Sequence, residues 1–313
     1  MTKSNTLYIF IAVRSAFSSQ IIIGIIANAF LLLFHILTYL LQHRSKPIDL
    51  TIAHLALIHL LMLTIREFLD IDILGVQDIL DESTCKTVVY LYRLMRSLSL
   101  CITCQLSVLH AITLSPRNSF LTKLKHTSPH HHLCCFLILW VVNMFINVQV
   151  LVSMGGPTNE TSAFWFASES CSVSPTGVYF RTLFALIGSL QDTFFIGLMA
   201  LSSGYTVTLP CRHKRQCQHL HSTSLSPRAS PELRASRTIL LLMGFFVVMN
   251  FMDCITSFSG KMQKKDPAQL VFQKLTGNGY ATISLFMLIR NEKQILKFFQ
   301  LTLGKERKCL CSA

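Results

Sequence analysis

The 313-residue chain is 51% hydrophobic and only 14% charged, with a mean hydropathy of +0.49. A soluble domain, where roughly a quarter of residues carry charge, is excluded. The net charge of +13 arises from 28 Lys and Arg against 15 Asp and Glu, so where those charges sit decides what they mean.

Apolar residues gather into runs of about 20, the helix length that crosses a ~30 Å hydrocarbon layer. Seven such runs are predicted, at 17–41, 48–69, 85–113, 132–152, 178–207, 238–259 and 268–289. Each is twice the length of a barrel strand and none alternates strictly, so the expected class is an all-α bundle of seven transmembrane helices. Connectors are short, and residues 1–313 are expected to form a single membrane domain.

The opening "MTKSNTLYIFIAVRSAFSSQ" has the look of a short signal peptide. Arg14 interrupts it and no clean small-residue cleavage site follows, so the first span is expected to be its own signal anchor. The second span ends in Arg66 and Glu67, and the connector after it is acidic, with Asp70, Asp72, Asp78, Asp81 and Glu82.

The third span, "CKTVVYLYRLMRSLSLCITCQLSVLHAIT", carries Arg93 and Arg96 at i, i+3, then Thr103, Ser107 and His110. That spacing predicts a polar stripe facing the bundle. At 1.5 Å per residue the two arginines lie ~12 and ~16 Å below Cys85. An ionised side chain near the bilayer centre costs about 2.5–3.5 kcal/mol on insertion scales. Arg93 and Arg96 are therefore expected to pair with Asp192, Asp253 or Glu67, to meet an anionic or acceptor-bearing ligand, or both. "CITC" at 101–104 has the pattern of a redox motif, but within an apolar span it reads as two small buried residues.

Between the fourth and fifth spans lie Cys171 and the sequon Asn159-Glu160-Thr161, an N-glycosylation acceptor if that loop is external. Cys85 and Cys171 would then both face the oxidising side, where a bridge between them is permitted. The fifth span holds Gln191 and Asp192. The basic strip "CRHKRQCQHLHSTSLSPRASPELRASRT" follows, with Arg212, Lys214, Arg215, Arg234 and Arg237. Tethered between spans, it is no nucleic-acid patch. Its Cys211, His213, Cys217, His219 and His221 match no zinc spacing, so no metal is expected. It reads as a cationic surface for an intracellular partner. The sixth span carries Asn250, Asp253 and Ser257, and the seventh Gln269, Gln273 and Lys274. Cys309 and Cys311, in "KERKCLCSA", are candidate palmitoylation sites beside basic residues, with plain free thiols the alternative.

Most of the Lys and Arg fall in 42–47, 114–131, 209–237 and the tail from 290. Positive charge gathers on the cytoplasmic side, so the amino terminus is expected outside and the carboxyl terminus inside. The same charge attracts anionic inner-leaflet lipid. No nucleophile–base pair, phosphate-cradling glycine loop or metal triad is found, so neither an enzyme nor a cofactor is expected.

The stretches "LTIAHLALIHLLML", "CKTVVYLYRLMRSLSLCITCQLSVLHAITLSPRNS", "CRHKRQCQHLHSTSLSPRASPELRASRTILLLM" and "YATISLFMLI" resemble the vomeronasal type-1 receptors, seven-helix G-protein-coupled pheromone receptors. The resemblance covers nearly the whole chain and implies several expectations. The protein would sit in the microvillar plasma membrane of sensory neurons. It would bind a small pheromone in the extracellular half of the bundle, with Arg93, Arg96, Asp192, Asn250, Asp253 and Gln273 as candidate contacts. It would activate an inhibitory-class heterotrimeric G protein through Arg212, Lys214, Arg215, Arg234 and Arg237. A Cys85–Cys171 disulfide and a glycan on Asn159 are also implied, and homo- or hetero-oligomers are compatible with it. The third span ends His110-Ala111-Ile112-Thr113, where rhodopsin-like receptors have an acidic-Arg-aromatic triplet, so their switch residues do not transfer. Where the family usually has Ser-Pro in the seventh helix, this chain has Ser284-Leu285, which predicts a straighter helix. The alternatives are a bitter-taste-type receptor and a small transporter or channel. The repeats and broken helices of transporters are not found.

Overall fold

The computed structural model describes residues 2–42, 47–72, 82–115, 129–155, 172–173 and 178–220, with 244–245, 248–249, 252, 279 and 281–283. The described residues are almost wholly helical. Helix α1 spans Thr2–Gln42, α2 Pro47–Asp72, α3 Glu82–Leu114, α4 Pro129–Asn147 and α5 Val178–Leu220. All 5 contain a stretch long and apolar enough to cross a membrane. Proline begins α2 and α4, where its missing N–H loses nothing, and Asp49 lies in the first turn of α2.

Two helices outrun their predicted spans. α1 begins at Thr2 rather than residue 17, because no glycine or proline interrupts the chain before Gly24. α5 continues from the predicted end at 207 to Leu220, passing through Pro210. Proline removes one i→i−4 hydrogen bond but does not stop this helix. Part of the basic strip expected to be loop is thus a helical extension carrying Arg212, Lys214 and Arg215.

α4 stops short instead. Asn143 Nδ2 donates to Leu139 O at 2.7 Å, and Asn147 Nδ2 donates to Asn143 O at 2.9 Å. Such local side-chain bonds compete with the helical ladder. Val148 forms a turn, with its N–H bonded to Phe145 O at 3.3 Å, before one more helical turn at Gln149–Ser153. Directly after it, β1 (Met154–Gly155) pairs antiparallel with β2 (Ser172–Val173), in the register Met154↔Val173 and Gly155↔Ser172. β1 also touches α3. This ladder marks one end of the bundle.

α3 is the hub, packing against α2, α4 and α5, while α1 packs on α2. The main core joins Ile21 and Leu31 of α1, Leu55, Ile58, Met62 and Leu63 of α2, Leu94, Leu98 and Ile102 of α3, Phe136 of α4 and Ala281. Ile26, Leu33, Leu137, Val141, Phe145, Phe194 and Leu201 face outward. In a soluble protein such a surface would aggregate, but here it is the face that meets lipid. Hydroxyls inside the spans bond back to their own helices, as in Thr38 to Phe34 O, Thr51 to Pro47 O and Thr206 to Ser202 O.

The described pieces of the predicted sixth and seventh spans are helical, and residues 279, 281 and 282 lie against α1. Asn28 Nδ2 donates to Gly24 O at 2.7 Å and to Ala281 O at 3.3 Å. A Cβ placed on Gly279 would lie 3.0 Å from Met249 Cε and 3.5 Å from Gln20 Nε2. Gly279 therefore sits between Gln20 of α1 and Met249.

Candidate functional site

The polar residues of the spans form a column down α3, starting at the ladder end. There, Ser18 Oγ of α1 donates to Glu67 Oε1 of α2 at 3.3 Å. The neighbouring Arg66 is buried, with its guanidinium 5.8 Å from the centre of the Tyr92 ring on α3. A cation over an aromatic face gains electrostatic attraction where water is scarce. Beside Tyr92 and one turn further, Arg93 and Arg96 are both half-buried. Asp192 of α5 lies within electrostatic range of Arg96. Of the partners expected for the arginines, Asp192, exposed on α5, lies within electrostatic range of Arg96, whereas Glu67 accepts from Ser18.

Below the arginines, three helices meet in one hydrogen-bonded cluster. Asn143 of α4 is fully buried, and its Oδ1 accepts from Ser97 Oγ of α3 and from Gln191 Nε2 of α5, the latter at 2.8 Å. Asn143 Nδ2 and Gln191 Nε2 each approach Cys101 Sγ at 3.5 Å. Cys101 and Cys104 are buried free thiols, as expected for "CITC". Among the described residues no cluster could hold a metal ion.

On the other side of α3, His59 Nε2 and Ser99 Oγ are 2.7 Å apart, both buried. Trp140 Nε1 of α4 donates to His54 Nε2 of α2 at 3.0 Å, with Phe136 edge-on to the same imidazole at 4.6 Å. Toward the far end, Ser107 Oγ meets Ser202 Oγ at 2.6 Å and Ser203 Oγ at 3.3 Å, and Ser115 Oγ meets Tyr205 Oη at 3.1 Å. Of the stripe predicted from Arg93, Arg96, Thr103, Ser107 and His110, Thr103 and Ser107 are buried and the other three half-buried. Ser107→Ala is expected to cost about 0.5–1.5 kcal/mol, the net worth of one hydrogen bond, read as a lower midpoint of thermal unfolding in detergent.

Asn143 is absent from the sequence-predicted set. It shares the apolar run "CCFLILWVVNMFIN" with Asn147, and only its partners on α3 and α5 reveal its part. The remaining candidates fall elsewhere. Asn250, Asp253, Gln273, Cys171, Asn159, Arg234, Arg237, Leu285, Cys309 and Cys311 lie outside the described residues, as do the side chains of Cys85, Arg212, Lys214 and Arg215.

Membrane-length apolar helices around a hydrogen-bonded interior define a multi-pass membrane protein. The model of the vomeronasal organ pheromone receptor family matches residues 11–301. Vomeronasal type-1 receptor 90 of Rattus norvegicus is 46% identical over 306 residues, covering 97% of this chain and 99% of that receptor. Vomeronasal type-1 receptor 45 of Mus musculus is 44% identical over 301 residues, covering 96% of this chain and 95% of that receptor. The chain belongs to the vomeronasal organ pheromone receptor family, a family of membrane receptors and not of enzymes.

Proposed function

We propose that the chain is a single seven-helix receptor domain, amino terminus outside, that binds a small chemosignal near Arg93, Arg96 and Asp192. The observation that carries this reading is the pair of half-buried arginines on the central helix, with Asp192 in electrostatic range of Arg96. A ligand with an anionic or acceptor group competes with Asp192 for Arg96. It shifts the population only if it binds the active arrangement better than the resting one. Asn250, Asp253 and Gln273 complete the site from the sixth and seventh spans.

At the other end, the helical extension of α5 presents Arg212, Lys214 and Arg215, and Arg234 and Arg237 follow before the sixth span. These cations meet an inhibitory-class G protein, with anionic inner-leaflet lipid beside them. A Cys85–Cys171 bridge fits the fold: Ser172, next to Cys171, pairs with Gly155, and β1 touches the helix that carries Cys85. Asn159 then carries an external glycan, and Cys309 and Cys311 carry acyl chains inside. The family's sensory-neuron microvilli are the expected location, and assembly into oligomers belongs to the same reading.

Arg96→Ala and Arg93→Ala test it in cells co-expressing a G-protein-linked calcium reporter. Fractionated secretion extracts serve as stimulus, and surface labelling controls for folding. Normal surface level with at least a tenfold loss of response, roughly 1.4 kcal/mol of binding, is expected for Arg96→Ala. An unchanged response in both variants would remove the ligand role.

A further inference from the structure

The first turns of α4 hold two adjacent cysteines, Cys134 and Cys135, at the end of the bundle opposite the ladder. Both are free and exposed. They lie at the very start of the apolar span, which begins at Leu133. Their surroundings are equally distinctive. Residues 134, 138, 141 and 145 follow the i, i+4, i+7, i+11 spacing of one helix face, and Ile138, Val141 and Phe145 are 56%, 64% and 68% exposed. Leu133 and Leu137 flank that face and are exposed as well. The thiols therefore stand at the membrane boundary, at the head of a bare apolar stripe that runs into the hydrocarbon. The cysteines of "CITC" are the contrast, since both are enclosed in the core of the bundle.

We propose that Cys134 and Cys135 form an S-acylation site, whose fatty chain lies along the Ile138–Val141–Phe145 stripe. The donor is a long-chain fatty acyl-CoA, brought by a membrane acyltransferase. The thiol sulfur attacks the thioester carbonyl, a new S–C bond forms, and the carbonyl–sulfur bond to CoA breaks. CoA leaves as its thiol, taking up the proton lost by cysteine. No oxidant or reductant is needed. Juxtamembrane position is the chemical requirement, because the acyl-CoA tail and the acceptor thiol must meet at headgroup depth. An added chain anchors a helix that otherwise packs mainly through Phe136, Trp140 and Asn143. The site is separate from Cys309 and Cys311 in the tail. It rests on the proposed orientation, which puts the start of α4 on the cytosolic side, where acyl-CoA is found.

The full-length receptor is expressed in cells fed an alkyne-tagged palmitate, immunoprecipitated, and its hydroxylamine-sensitive label measured. The glycan-dependent mobility shift of Asn159 is read on the same gel. A Cys309→Ser/Cys311→Ser variant is expected to keep label, and adding Cys134→Ser/Cys135→Ser to remove nearly all of what remains. Mass mapping of the α4 peptide from unmutated receptor places the adduct without relying on any variant. Label confined to Cys309 and Cys311, or an unmodified α4 peptide from a glycosylated receptor, overturns the proposal while leaving the orientation intact. A receptor with neither glycan nor α4 label overturns the orientation, and the acylation site falls with it.

Discussion

Replacing Asn143 with leucine is expected to lower stability by about 2–3 kcal/mol, although leucine is apolar and close in size. The cost does not come from a cavity. Asn143 Oδ1 is the shared acceptor for Ser97 Oγ and Gln191 Nε2, and its Nδ2 faces Leu139 O and Cys101 Sγ. Leucine leaves those donors facing hydrocarbon, where no water replaces the lost bond. Single interhelical hydrogen bonds in membranes average only about 0.6 kcal/mol, so the size of the effect depends on several partners failing together. The pairing can be isolated. Gln191→Leu in the Asn143→Leu background removes one stranded donor, and should recover part of the loss, because apolar replacement of both partners is close to neutral. Thermal unfolding in detergent and surface level in cells measure both. An Asn143→Leu receptor with a wild-type melting midpoint would show that the cluster only fills space.

Residues such as Asn143 mark the boundary of what the sequence alone reveals. Hydropathy found the first five spans because each must cover the hydrocarbon with apolar side chains. It does not give the ends of helices α1 and α5, because it reports the membrane, whereas a helix ends at a breaker or a competing hydrogen bond. Thr2–Gln42 continues past the lipid for want of a breaker, and Val178–Leu220 continues even through Pro210. The break at Val148 follows from two asparagine side chains near the end of α4, a local signal that hydropathy does not weigh. Arg93, Arg96 and Asp192 were legible because a charge in an apolar span is conspicuous. Ser107 was legible through its spacing from Thr103. The pairings His59–Ser99 and Trp140–His54 were not, since each joins residues far apart in the chain, and nothing local announces the partner. Cys134 and Cys135 are visible in sequence as a pair, but their exposure at the head of an apolar stripe is a fact of packing.

Gly24→Leu should be the most damaging single change on α1, at about 3 kcal/mol or more, the upper range for overpacking a core. A Cβ at this position would lie 2.7 Å from Leu63 Cδ1 and 2.7 Å from Thr282 Oγ1, well inside contact distance on two sides at once. Leu63 has no room to retreat, since it is fully buried in the main core. Thr282 Cβ lies only 3.6 Å away as well, so turning its Oγ to another rotamer still leaves a β-branched side chain against the added atoms. The added side chain must therefore drive α1 from α2, from the 281–283 segment, or from both. Movement from 281–283 also breaks the Asn28 Nδ2 bond to Ala281 O, which at 3.3 Å tolerates little stretching. Small residues permit this kind of close helix approach in membranes, where no hydrophobic force presses helices together and packing must hold them. Gly24→Ala should show a milder form of the defect. Thr282→Gly in the Gly24→Ala background should restore part of the surface level, since it clears one of the two clashes. Surface labelling and melting midpoint across this small series provide the measurement. A Gly24→Leu receptor that reaches the surface normally, or a Thr282→Gly change with no effect on the Gly24→Ala defect, would mean that the 281–283 segment does not rest on α1 at Gly24.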